Sequence, residues 1–141
     1  MNMKPRALIA AQPPAWTVLQ SMLEEVLDLV PVHTMAEALH VLQHDRAKID
    51  LIICTLTFSD SRMIEFLLAV KGNAALSGIP FLCCRVLVGR LSEKLVERMG
   101  AVARQCGADF VNLAKFPRHE AQRVLRAAVM KCLKSNKRAT T

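Results

Sequence analysis

Apolar residues fall into two kinds of cluster along this chain. Short continuous runs alternate with stretches in which apolar positions recur at helical spacing. The run from Arg6 to Ala11 comes first and stops at Gln12. Pro13 and Pro14 follow, where a first helical turn tolerates proline, and Trp16, Leu19, Leu23, Val26 and Leu27 then mark one helix face. Val30 to His33 reads as a second strand. Thr34 and Glu37 have capping-box spacing, in which hydroxyl and carboxylate satisfy each other's free backbone N–H groups, and so predict a helix carrying Ala38, Leu39 and Leu42. Leu51 to Leu56 is continuously apolar, as a parallel strand covered on both faces requires. A loop around Ser59 and Asp60 precedes a helix with Ile64, Leu67 and Leu68. Gly72, Asn73 and Gly78 break the pattern before a fourth strand, Ile79 to Cys84.

Ser92 is a fair N-cap for a helix reaching Gln105, although Gly100 weakens its middle. Cys106 and Gly107 end it. Asp109 to Leu113 is the fifth strand, and Pro117 opens a last helix to about Lys134. This predicts one domain over residues 1–134 with a basic tail, 135–141. Alternating strand and helix with short connections implies an α/β fold: a doubly wound parallel sheet with helices on both faces. Ligands of such sheets bind beyond the carboxyl ends of the strands, here residues 11–14, 55–60, 85–90 and 114–117.

Composition narrows the function classes. Of 141 residues, 52% are hydrophobic and 22% charged, which excludes a disordered chain. Leu51 to Leu56 and Ile79 to Leu87 fall far short of the roughly 20 residues of a membrane span. Lys4 and Arg6 precede an apolar run shorter than the roughly 7 to 15 residues of a secretory leader, so none is expected. The five cysteines (54, 83, 84, 106 and 132) are odd in number and contain no Cys-x-x-Cys pair, so they read as free thiols of a reducing cytoplasm. His40 and His44 sit four apart on a helix without a visible third ligand, and no metal is expected. Cys84 and Arg90 match the spacing of a cysteine-phosphatase loop, but Val86, Leu87 and Val88 are too bulky and apolar to wrap a phosphate.

Charge is distributed unevenly. Residues 1–70 carry five Lys/Arg against eight Asp/Glu, and residues 71–141 carry fourteen against four. The last helix concentrates the excess, with Arg118, Arg123, Arg126, Lys131 and Lys134. Arg98 and Arg104 extend it onto the preceding helix. Such a face is either a solvated surface or a docking surface for an acidic or polyanionic partner.

The segments Asp50 to Leu56, Gly78 to Cys84, Cys106 to Phe110 and Lys115 to Pro117, in this order and spacing, resemble response-regulator receiver domains of the CheY-like kind over residues 5–133. The resemblance implies a five-stranded sheet in the order 2-1-3-4-5 with five flanking helices. It also implies a phosphoryl site, and here this chain departs from the pattern. Ala11 and Gln12 stand where the family keeps the acidic pair for magnesium, Thr55 where it keeps the phosphoacceptor aspartate, and Arg85 where it keeps a small hydroxyl residue. Lys115 is the candidate for the family's lysine, one residue further from Gly107 than usual.

Magnesium needs carboxylate and water oxygens in an octahedron, and threonine forms no acyl phosphate. The resemblance therefore leads to a degenerate, stand-alone pseudo-receiver, not an enzyme and without magnesium. It would serve as a phosphorylation-independent protein-interaction module in bacterial-type two-component signalling, any output passing through a protein partner. A basic nucleic-acid-associated protein is the alternative. An active receiver phosphorylated at Asp60 is a third reading. Arg85 and Lys115 are candidates for an anion site, with pairing of Arg85 to Asp60 or to solvent as the competing expectation. Receiver-like folds often dimerise through the basic face, which leaves a homodimer open although like charges oppose it.

Overall fold

Each apolar run becomes a strand whose side chains go alternately to two sheet faces. The computed structural model describes residues 3–45 and 48–135. In chain order the elements are β1 (Arg6–Ala10), α1 (Pro13–Leu23), β2 (Asp28–Val32), α2 (Met35–Asp45), β3 (Leu51–Thr55), α3 (Phe58–Ser61), α4 (Met63–Lys71), β4 (Phe81–Arg85), α5 (Glu93–Gln105), β5 (Asp109–Asn112) and α6 (Arg118–Lys134). The strands are all parallel, in the order β2-β1-β3-β4-β5. The predicted tail lies outside the described residues except for Ser135.

Two cores result. Leu8, Ala10, Ile52, Cys54, Phe81 and Cys83 meet α2, α4 and α5 on one face. Ala7, Ile9, Leu51, Ile53, Leu82 and Cys84 meet α1 and α6 on the other. This is why the central strands read as unbroken apolar runs. On the first face Phe66 lies between Phe58 and Phe81, with ring centroids 5.5 Å apart in both pairs.

The structure corrects the sequence reading at several points. The described residues form six helices, not five, because the Ser59–Asp60 loop contains the single turn α3. Ser59, Asp60 and Ser61 there have φ of 50°, 60° and 62°. Helix α1 stops at Leu23, and Val26 and Leu27 belong to the following turn. In α4 the buried stripe is Met63, Phe66, Leu67 and Val70, while Leu68 faces out at 53% exposure. Gly100 sits mid-helix because a Cβ there would lie 2.6 Å from a Phe110 ring carbon. Gly107, with φ of +92°, turns the chain from α5 into β5.

Candidate functional site

The carboxyl ends of β1, β3 and β4 deliver the residues singled out above to one edge of the sheet. Ala11 is fully buried, and its backbone is held by hydrogen bonds to Val32 and to the His33 ring (Nδ1 to O, 2.7 Å). Gln12 is half-buried and precedes α1 without a side-chain capping bond. Thr55 ends β3 at 2% exposure, and its Oγ1 has no hydrogen-bond partner. Strand alternation sends it to the same face as Ile53, toward α1. It lines a cavity of about 230 Å³ together with Arg85 and the apolar Ala15, Leu56, Val86, Leu87 and Leu91.

Arg85 ends β4 at 4% exposure. Its Nη1 donates to both carboxylate oxygens of Glu93, at 2.8 and 2.9 Å. This corrects the pairing expected with Asp60. Glu93 owes its position to the cap of α5, where Ser92 Oγ accepts from Leu95 N at 3.1 Å and sets residue 93 in the first turn. A carboxylate there also meets the positive end of the helix dipole. Glu93 was missed from sequence, although the cap at Ser92 eight residues after a strand-end arginine was the signal available.

Lys115 does not join Arg85. It occupies a 3-10 turn, Leu113–Lys115, after β5, is exposed, and lines neither this cavity nor the neighbouring one at the same edge, formed by Val86, Val88, Phe116 and Ala121 among others. The Arg85 charge is met by Glu93, whereas Lys115 stands exposed at the end of the 3-10 turn.

The donor set does not fit the magnesium ion that such a fold implies. Ala11 and Gln12 bring no carboxylate, and Thr55 offers only a buried hydroxyl. Among the described residues no three His, Cys, Asp or Glu side chains cluster as metal ligands.

The basic face also divides. Arg98, Arg104, Arg123, Lys131 and Lys134 are exposed, Arg104 with its guanidinium 5.6 Å from the Phe110 ring centroid. Arg118 and Arg126 instead tie α6 to α1. Arg118 Nη2 donates to Ser21 Oγ at 2.7 Å, and the half-buried Arg126 donates from Nε to the Met22 carbonyl at 2.9 Å. Arg126 is thus partly withdrawn from the exposed cationic surface of α6. Burial keeps the thiols neutral: Cys54 and Cys83 are shifted well up, and Cys84 and Cys132 are pushed up to about 12.

The order 2-1-3-4-5, the two helical layers and the crevice at the carboxyl edge define a doubly wound α/β protein of the flavodoxin-like class. Within that class the chain has the fold of response-regulator receiver domains. It is similar to the signal receiver domain of a signal transduction histidine kinase from Syntrophus aciditrophicus, at 26% identity over 95% of this chain and 93% of that one, with a TM-score of 0.72. The phosphorylated cyanobacterial phytochrome response regulator RcpA aligns at 15% identity over 93% and 95% of the two chains, with a TM-score of 0.72. A chemotaxis response regulator of Vibrio cholerae aligns at 18% identity over 89% and 99%, with a TM-score of 0.63. No protein-family model matches the sequence, and no curated protein does. Among the described residues no helix is long and apolar enough to cross a membrane.

Proposed function

We propose that this chain is a receiver-fold interaction module of two-component-type signalling whose binding to a protein partner does not depend on phosphorylation. The observation that carries this reading is the Arg85–Glu93 pair. It links the end of β4 to the start of α5 through the protein's own charges, at the edge where the resemblance implies a phosphoryl site. Thr55, buried without a carboxylate beside it, supplies no acyl-phosphate chemistry, and Ala11 and Gln12 supply no magnesium ligands. The exposed cations of α5 and α6 provide the surface, favouring a partner with an acidic rim.

Two measurements test this. Intact-mass analysis after acetyl phosphate and magnesium is expected to show no phosphoryl group, and an adduct on Thr55 or Asp60 overturns the reading. Partner capture after nuclease treatment should compare wild type with a variant carrying Arg123→Glu, Lys131→Glu and Lys134→Glu. Arg126 is left intact because its loss would perturb the α1–α6 seam. A protein lost in the variant and retained equally with and without acetyl phosphate supports the proposal. Nucleic acid alone, released steeply by moderate salt, replaces it with a nucleic-acid-binding function.

A further inference from the structure

The opposite pole of the sheet carries another concavity, which the signalling reading does not use, and the inference drawn from it does not rest on that reading. In α6, the residues at 126, 129, 130, 133 and 134 share one side, beside the stripe that meets the sheet. They face Pro5, which leads into β1, and Val26 and Leu27, in the turn between α1 and β2. Between these walls lies a groove of about 560 Å³, within the size range of small-molecule sites. Leu27 and Val129 form its buried floor, while Val26 and Met130 remain 36% and 52% exposed.

Its polar lining has one sign. Of the eight residues, six are apolar and the other two are Arg126 and Lys134. Among the described residues neither has a carboxylate partner, the ion pairs there being Arg6–Asp28, Arg62–Glu65 and Arg85–Glu93. Arg126 Nε is spent on the Met22 carbonyl, and its Nη2 is buried with no acceptor. A cation left without a counterion at the wall of an apolar groove favours any ligand that brings one. The sequence after Ser135 adds Lys137 and Arg138 and no Asp or Glu, so that segment offers no carboxylate side chain of its own.

We propose that this groove binds an aliphatic carboxylate, the chain lying along Val26, Leu27, Val129 and Met130 and the carboxylate directed to the Arg126–Lys134 side. Burying successive methylenes tightens binding by about fourfold each until the groove is filled. The test is an NMR titration of the full chain with hexanoate, octanoate and decanoate below their micellar concentrations, using decylamine as the probe of opposite charge. Saturable shifts at the amides of Val26, Met130 and Leu133, affinity rising along the series, and weak or absent binding of decylamine are expected. Lys134→Glu, at an exposed position, should weaken decanoate by about threefold to fivefold, in keeping with a solvent-facing charge. Met130→Ser should flatten the chain-length dependence while leaving the fold intact. Equal binding of decylamine, shifts centred elsewhere, or shifts that do not saturate would overturn the proposal. Binding of an acidic amphipathic peptide in the groove without any binding of decanoate would also overturn it, in favour of a protein docking site.

Discussion

Removing the carboxylate of Glu93 is expected to cost more than removing the guanidinium of Arg85, although the two form one pair. The side chains are 65% and 5% exposed, respectively, and stand 2.8 Å apart. At that distance the Coulomb attraction is about 1.5 kcal/mol in water and about 6 kcal/mol at an effective dielectric of 20. The exposure of Glu93 draws the value toward the lower figure. Hydrogen bonds to charged groups contribute about 1.5–3 kcal/mol, so Glu93→Gln should lose about 2 kcal/mol. Most of that loss is the guanidinium left buried without a counterion. Arg85→Met removes the buried charge itself and leaves Glu93 in water, so it should cost less than about 1 kcal/mol. The double variant should match Arg85→Met. Urea unfolding separates these outcomes, because about 2 kcal/mol moves the midpoint by about 1 M at an m-value of about 2 kcal/mol/M. A Glu93→Gln midpoint within about 0.2 M of wild type, or an Arg85→Met loss as large as that of Glu93→Gln, would refute the reasoning.

Gly100→Ala should lower stability despite the better helix former. Its Cβ would meet the Phe110 ring at 2.6 Å, and overpacking costs about 1–3 kcal/mol against the 0.5–1 kcal/mol or so of propensity gained. Adding Phe110→Leu should recover the loss in a thermal melt. The carboxyl of Glu37 is held below its ordinary value by the backbone N–H of His33, with Thr34 adding further hydrogen bonds. A depressed carboxylate stabilises the fold above its unfolded value near 4.5 and loses that contribution as pH falls through the lower folded value. Glu37→Gln should therefore shallow the acid side of the stability profile, and an unchanged slope would remove Glu37 from the account. Of the five thiols, four are buried, so a thiol reagent should modify Cys106 alone in the native state and all five in denaturant. Fast native labelling of Cys83 or Cys84 would contradict the packing described.

The sheet was legible because parallel strands covered on both faces announce themselves as apolar runs, and Leu51 to Leu56 is the clearest case. The capping box at Thr34 and the cap at Ser92 were equally local and formed as expected. The left-handed turn at Ser59–Ser61 was not legible, since none of its residues is a glycine that would have marked a positive φ. At the site, the residue types and strand-end positions of Ala11, Thr55 and Arg85 were readable one by one. The partner of Arg85 was not, because Glu93 and Asp60 are both acids after a strand end, and only the packing of α5 against the sheet chooses between them. Arg126 shows the same limit: helical spacing gave its approximate side, but the Met22 carbonyl that holds it lies 104 residues away.

Pro31 sits within β2, opposite Ile9, in a strand with a neighbour on one side only. It has no N–H to contribute to a further strand, and a five-residue border interrupted in this way is a poor template for extending the ladder. At the other border, β5 has only four residues and begins with the exposed, charged Asp109. A sheet otherwise built of apolar runs is thereby protected at both margins against edge-to-edge aggregation, which should let the protein stay monodisperse at concentrations where a longer, uninterrupted border would recruit other chains.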